Sequence, residues 1–142
     1  MVTEFGSSLD YNRFVYDLLN GRATVASHTV AVYSIGQTVG MVRGEIHFRS
    51  GHTLRVFEQV DFLAQRIVKY SYEVYDRDGT QLWWYDPMPH PHIPELQSTH
   101  PHHKHAPPDI KHNRTPAPGI AFDRPNLPFL MAEVESFGVE VE

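Results

Sequence analysis

No proline occurs before Pro87, and all eleven prolines lie from that residue onward. Proline has no N–H for a strand ladder and breaks a helix interior. Central strands must therefore come from the first part of the chain. The second part must supply turns, edges and helix starts. Before Pro87 the residues alternate between apolar and polar over long runs, which is the period of half-buried strands. About five strands are expected, over residues 24–33, 41–49, 53–62, 66–76 and 80–86. The last four read as an antiparallel meander. Its turns are Ser50-Gly51-His52, Leu63-Ala64-Gln65 and Arg77-Asp78-Gly79.

Two segments have helical spacing instead. Leu9, Tyr11, Phe14, Val15, Leu18 and Leu19 form one stripe, with Ser8 as N-cap and Gly21 as the stop. Leu127, Leu130, Met131 and Val134 form a second stripe in a helix over residues 126–137. Asp123 or Asn126 is the expected cap there, and Pro128 is tolerated in the first turn. The expected fold class is α+β: a meander of about five strands with an N-terminal and a C-terminal helix packed on one face. Leu18 and Leu130 are expected to be buried where the helices meet the sheet.

Parity along the strands assigns side chains to faces. Val42, Ile46, Phe48, Leu54, Val56, Val60, Phe62, Val68, Tyr70, Tyr72, Val74, Leu82 and Trp84 are all even and form an apolar face. The odd face carries Arg43, Glu45, His47, Arg49, Arg55, Gln59, Lys69, Ser71 and Glu73, interrupted by Phe57 and Tyr75. Even faces match across a hairpin only if each loop holds an odd number of residues. Three-residue loops put Phe48 opposite Leu54, Ile46 opposite Val56, Val42 opposite Val60, Val56 opposite Tyr72, and Tyr72 opposite Trp84. They also align Gly44, Glu58, Tyr70 and Asp86 in one row. Adjacent strands lie ~4.8 Å apart, so Glu58 and Asp86 are expected roughly 10 Å apart with Tyr70 between. A carboxylate on an apolar face is costly unless paired. Glu58 is thus either a structural group bonded to Tyr70 or an arginine, or part of a site with Asp86.

After Asp86 the chain reads as a long Pro/His-rich loop over residues 87–122. Seven of the ten histidines lie between His90 and His112. His90 and His92 make one pair, and His100, His102, His103 and His105 cluster around Lys104. Imidazole binds divalent metals or moves protons near neutrality. Lys104 offers a point charge for phosphate. The spacing matches no zincin or zinc finger, so His90, His92, His102 and His105 are candidate ligands without a defined motif. No metal or other cofactor is required by the pattern.

The class of protein is bounded by simpler features. There is no cysteine, which excludes disulfide scaffolds and thiolate metal sites. No stretch approaches the ~20 apolar residues of a membrane helix. No signal peptide is evident, so a cytoplasmic location and no membrane partner are expected. The net charge of −5 makes the whole molecule unattractive to nucleic acid, so RNA binding requires a local basic patch.

The stretch Val42-Arg-Gly-Glu-Ile-His-Phe-Arg-Ser-Gly-His-Thr-Leu-Arg-Val-Phe-Glu-Gln-Val resembles the TumE family of toxin–antitoxin proteins. So do Lys69-Tyr-Ser-Tyr, Trp84-Tyr-Asp and Pro101-His-His-Lys-His. The resemblance spans roughly residues 42–105, with a helix on either side. Where the family often carries arginine before Tyr-Asp, this chain has Trp84. The resemblance implies one TumE-like domain over residues 1–142, acting as a toxin beside a helix-turn-helix antitoxin and cutting RNA as an endoribonuclease. On that reading Glu58 takes the ribose 2′-hydroxyl proton, oriented by Tyr70, with Asp86 in the same site. His102, His103 or His105 protonates the leaving oxygen. Arg43, Arg55 or Lys104 stabilises the phosphorane, and Trp84 contacts substrate. Two alternatives are metal-dependent phosphodiester hydrolysis by Glu58, Asp86 and loop histidines, and a non-catalytic binding protein. An inactive family member is a third, given Trp84.

Overall fold

A computed structural model describes residues 4–140. Helix α1 (Ser8–Asn20) is followed by β1 (Val25–His28), β2 (Ala31–Ile35), β3 (Val39–Phe48), β4 (Thr53–Asp61), β5 (Arg66–Tyr75) and β6 (Gln81–Asp86). A short 3-10 helix (Pro94–Thr99), β7 (His103–His105), β8 (Arg114–Pro116) and α2 (Leu127–Glu140) complete the chain. All strands join one antiparallel sheet in the order β1-β3-β4-β5-β6-β7-β8, with β2 also on β3. The class is α+β, with eight strands rather than five.

Both helices lie on one face. Ser7, not Ser8, caps α1: its Oγ accepts from the Asp10 N–H at 3.0 Å. The buried stripe of α1 is Tyr11, Val15 and Leu19, while Leu18 is only partly buried against the core. Leu127, Leu130, Met131 and Val134 of α2 are fully buried. They meet Val42, Ile46, Leu54, Val56, Tyr72 and Val74 from the sheet. The even face is therefore inward across β3, β4 and most of β5.

Three departures from the expected register have local causes. The β3–β4 turn closes on Phe48 and His52, one residue earlier than expected, so Val42 faces Glu58, Gly44 faces Val56 and Ile46 faces Leu54. Val60 faces Gly40 rather than Val42. In β5 a bulge at Val68 turns Ile67 inward and leaves Val68 on the outer face. Beyond it along β5, Glu58 faces Tyr70 and Val56 faces Tyr72, as the parity argument requires. The Arg77-Asp78-Gly79 turn forms, closed by the Asp76 N–H on the Thr80 carbonyl at 2.9 Å. A second bulge at Leu82 then flips β6, so Tyr72 faces Tyr85 and not Trp84. Trp83 and Tyr85 point inward, while Trp84 and Asp86 point outward.

The expected first strand is two strands, broken at Thr29 and Val30. Gly44 explains the break. Its φ is +148°, and a Cβ there would sit 2.5 Å from Val30 Cα. The glycine admits the crossing backbone; it makes no space beside Glu58. The segment over residues 87–122 is likewise not structureless. β7 pairs with β6, placing Asp86 opposite His103 and Trp84 opposite His105, and β8 pairs with β7. The prolines thus occupy turns and the sheet edge, as their missing donor requires.

Candidate functional site

Glu58 is fully buried under α1. Its Oε1 accepts from the Tyr11 hydroxyl and its Oε2 from the Tyr72 hydroxyl, each at 2.5 Å. Asn126 Nδ2 donates in turn to the Tyr72 oxygen at 3.1 Å. Burial pushes the Glu58 carboxyl above its ordinary range, and the two phenols pull it back by less. The group thereby joins helix α1, two strands and the start of α2. It occupies the structural role that an inward glutamate permits, with phenols as partners in place of the expected arginine or Tyr70.

Asp86 lies on the other face, so the predicted row does not form. Its carboxylate is surrounded by two N–H donors and two imidazoles. Oδ1 takes the Met88 N–H at 2.8 Å and faces His103 Nε2 at 3.1 Å. Oδ2 takes the Trp84 indole N–H at 2.8 Å and faces His105 Nε2 at 3.2 Å. Burial acts to raise the Asp86 carboxyl, but the two imidazoles and the Met88 amide hold it well below the usual range. The two Nε2 atoms are 3.1 Å apart. Behind them, His103 Nδ1 lies 3.1 Å from the Pro101 carbonyl and His105 Nδ1 lies 2.8 Å from the Ile110 carbonyl. The His105 ring stacks on Trp84, with centroids 3.8 Å apart. Strand alternation creates this cluster: His103 and His105 share a face, and β6 presents Trp84 and Asp86 opposite them.

The other expected residues divide around it. Lys104, between the two histidines, points to the helix side. Its Nζ pairs with Glu133 at 3.0 Å and sits over the Trp83 ring. His102 stands apart, its Nδ1 2.6 Å from the Tyr70 hydroxyl, with the two rings stacked. Burial raises the Tyr70 hydroxyl and lowers the His102 imidazole. His90 packs edge-on against His103, at 4.9 Å between centroids, and His92 packs beside His90. Arg55 is engaged by Glu45 and Glu73, at 3.2 and 3.3 Å. Arg43 lies over the Phe57 ring at 4.7 Å.

A groove of about 570 Å³ runs over the outer face to Asp86. Phe57, Ser71, Glu73 and Trp84 form its floor, with Lys69, Val68, Met88 and Phe122 around it. The sequence reading placed Phe57 as an interruption of a wet face; it is the groove's aromatic floor. Arg114 was not anticipated either. It faces His105 in the β7–β8 ladder, and its Nε is buried without a hydrogen-bond partner. A three-residue strand carries too little periodicity to announce such a residue.

No curated protein and no solved structure matches the chain. The model of the Toxin TumE family matches residues 15–137, from the middle of α1 to the last turns of α2. That span contains the whole sheet, the outer groove and the Asp86 cluster, and the chain accordingly belongs to the TumE toxin family of toxin–antitoxin systems.

Proposed function

We propose that this toxin acts on RNA as an endoribonuclease, with the strand lying across the outer face of the sheet and cut beside Asp86, His103 and His105. The observation that carries the reading is the groove itself: an exposed antiparallel sheet face, floored by Phe57 and Trp84, that ends on the cluster. Unpaired bases stack on exposed aromatic rings, and this requires no base-specific contact. Lys69, which lines the groove, and Arg43, which lies over the Phe57 ring, supply the local positive charge that a chain of net charge −5 otherwise lacks. Arg114 has an unspent N–H beside the cluster, suited to a phosphate oxygen. Imidazole and carboxylate groups at one point are those that phosphodiester chemistry uses. The antitoxin is expected to be a helix-turn-helix protein, its basic surface complementing the toxin's acidic balance.

The test is direct. Purified toxin is incubated with single-stranded RNA, and cleavage is followed on gels beside Phe57→Ala, Arg114→Gln and His103→Asn variants. Phe57→Ala should weaken RNA binding, and stacking losses of about 1–3 kcal/mol per base set the scale. His103→Asn should abolish cleavage. Intact RNA in the presence of folded toxin, with no binding to the groove, refutes the reading.

A further inference from the structure

We propose that Asp86, His103 and His105 form a binding site for one divalent transition metal ion, with zinc as the matching example. Among the described residues, these three are the one group of histidine, aspartate or glutamate side chains whose ligand atoms all lie within 4.8 Å of one another.

The hydrogen-bond arithmetic demands a cation or protons at this point. A carbonyl oxygen only accepts, so the Nδ1 atoms of His103 and His105 are the donors to Pro101 and Ile110. In neutral rings each Nε2 then presents a bare lone pair. Those two lone pairs face each other at 3.1 Å and face carboxylate oxygens at 3.1 and 3.2 Å. Acceptors aimed at acceptors repel, and both imidazoles are almost completely buried, so water cannot relieve them. A positive charge among them removes the conflict.

The spacing suits a metal. Donor atoms ~2.0–2.2 Å from one zinc ion lie roughly 3.0–3.5 Å apart. The Nε2–Nε2 separation falls in that interval, as does the contact of each Nε2 with its own Asp86 oxygen. The surroundings also match, because metal-binding histidines donate their other N–H to a carbonyl or carboxylate that fixes the ring. Both do so here. Asp86 is fixed by Trp84 Nε1 and the Met88 amide, and the His105 plane is fixed by the Trp84 ring. With three protein ligands and Asp86 lining the groove, one coordination position remains for water or a phosphate oxygen. Imidazole and carboxylate without thiolate favour a borderline ion such as zinc over magnesium or calcium. Use of that ion in RNA cleavage rests on the function proposed above; the site itself does not.

The experiment strips the full-length toxin with chelator, confirms its fold by circular dichroism, and titrates it calorimetrically with zinc chloride. Cobalt(II) then reports the coordination geometry by its visible bands. One equivalent should bind tightly, release protons and give the spectrum of a low-coordinate site. Asp86→Asn, His103→Asn and His105→Asn should each remove this equivalent, while His100→Ala and His112→Ala should retain it. Trp84→Phe keeps all three ligands and the stacked ring and removes only the indole donor to Asp86. It should weaken binding about 10–100-fold, as loss of an outer partner does, and it remains informative if the histidine variants misfold. Weak binding of several equivalents that persists in folded Asp86→Asn protein, or unchanged affinity in Trp84→Phe, overturns the site. Folded, stripped toxin that takes up no zinc yet still cleaves RNA also overturns it, leaving the RNA reading in place. Tight binding without RNA cleavage supports the site and removes the RNA reading instead.

Discussion

Replacing Glu58 by Leu tests the structural role of the buried carboxylate. The change removes an acceptor from two phenols that have no other way to donate: Tyr11 and Tyr72 both give their hydrogens to Glu58, and both are fully buried. A buried donor left unsatisfied costs ~1–3 kcal/mol, so two cost about 2–6 kcal/mol before the relief of desolvating the carboxylate is subtracted. A second substitution separates that cost from simple misfit. Tyr11→Phe removes a charge-assisted bond in the wild type, which should cost ~1.5–3 kcal/mol. In the Glu58→Leu background the same change removes an orphaned hydroxyl, so it should stabilise by about 1–3 kcal/mol. The sign reverses with the background. Urea unfolding of the four proteins, followed by tryptophan fluorescence, measures all three differences. If Tyr11→Phe destabilises both backgrounds equally, the phenol does not spend its hydrogen on Glu58 and the reasoning fails. If the sign does reverse, loss of toxicity in an unstable Glu58 variant reflects lost fold, not a lost base.

Four further outcomes follow from the same geometry. Glu58 has its folded-state pKa raised, so its contribution to stability is fully present below the ordinary glutamate range and is lost as pH rises through the raised value; unfolding free energies measured across mildly acidic pH should show this fall in the wild type and not in Glu58→Gln. Leu130→Ala should cost ~2–5 kcal/mol, because its side chain is fully enclosed beneath the sheet, and a loss below half a kcal/mol in chemical denaturation would remove α2 from the core. Ile67→Thr should destabilise strongly in thermal melts while Val68→Thr stays close to wild type, and equal effects would contradict the bulge. Gly44→Ala should destabilise through both its positive φ and the contact with Val30, and a wild-type melting temperature would show that the crossing is looser than described.

Much of this fold was legible because alternation survives averaging. The inward residues of β3 and β4, the stripe of α2, and the facing of Val56 by Tyr72 all follow from period and parity. Two single-residue events were not legible. Val68 and Leu82 are apolar and fit an even-numbered inner face, yet each is the extra residue of a bulge. The residue inserted at Leu82 moves every later side chain of β6 to the other face. That is why Trp84 and Asp86 appeared inward and stand outward. The Pro/His segment hid β7 for a different reason: three residues carry no detectable period, and the histidine composition resembled solvated loop. Glu58 was correctly singled out as an inward carboxylate, but its partner Tyr11 lies on a helix 47 residues earlier, and such a long-range contact has no local signature. His103 and His105 were named with their neighbours. The strand that separates them from Lys104 and His102 emerges only from pairing.

Asp86 and its histidines belong to two strands that meet only after the Pro/His segment has folded back on the sheet edge. During synthesis the N-terminal part of a chain emerges and collapses first. A ribosome that has released β1 to β6 has therefore made most of the sheet but only Asp86 of the three-residue cluster. Asn126 and the buried stripe of α2 come later still, and the inner face stays uncovered until they dock. Abandoned or truncated chains consequently lack the assembled cluster. For a protein that harms the cell making it, the order of emergence delays formation of this centre until the Pro/His segment that carries β7 has been translated.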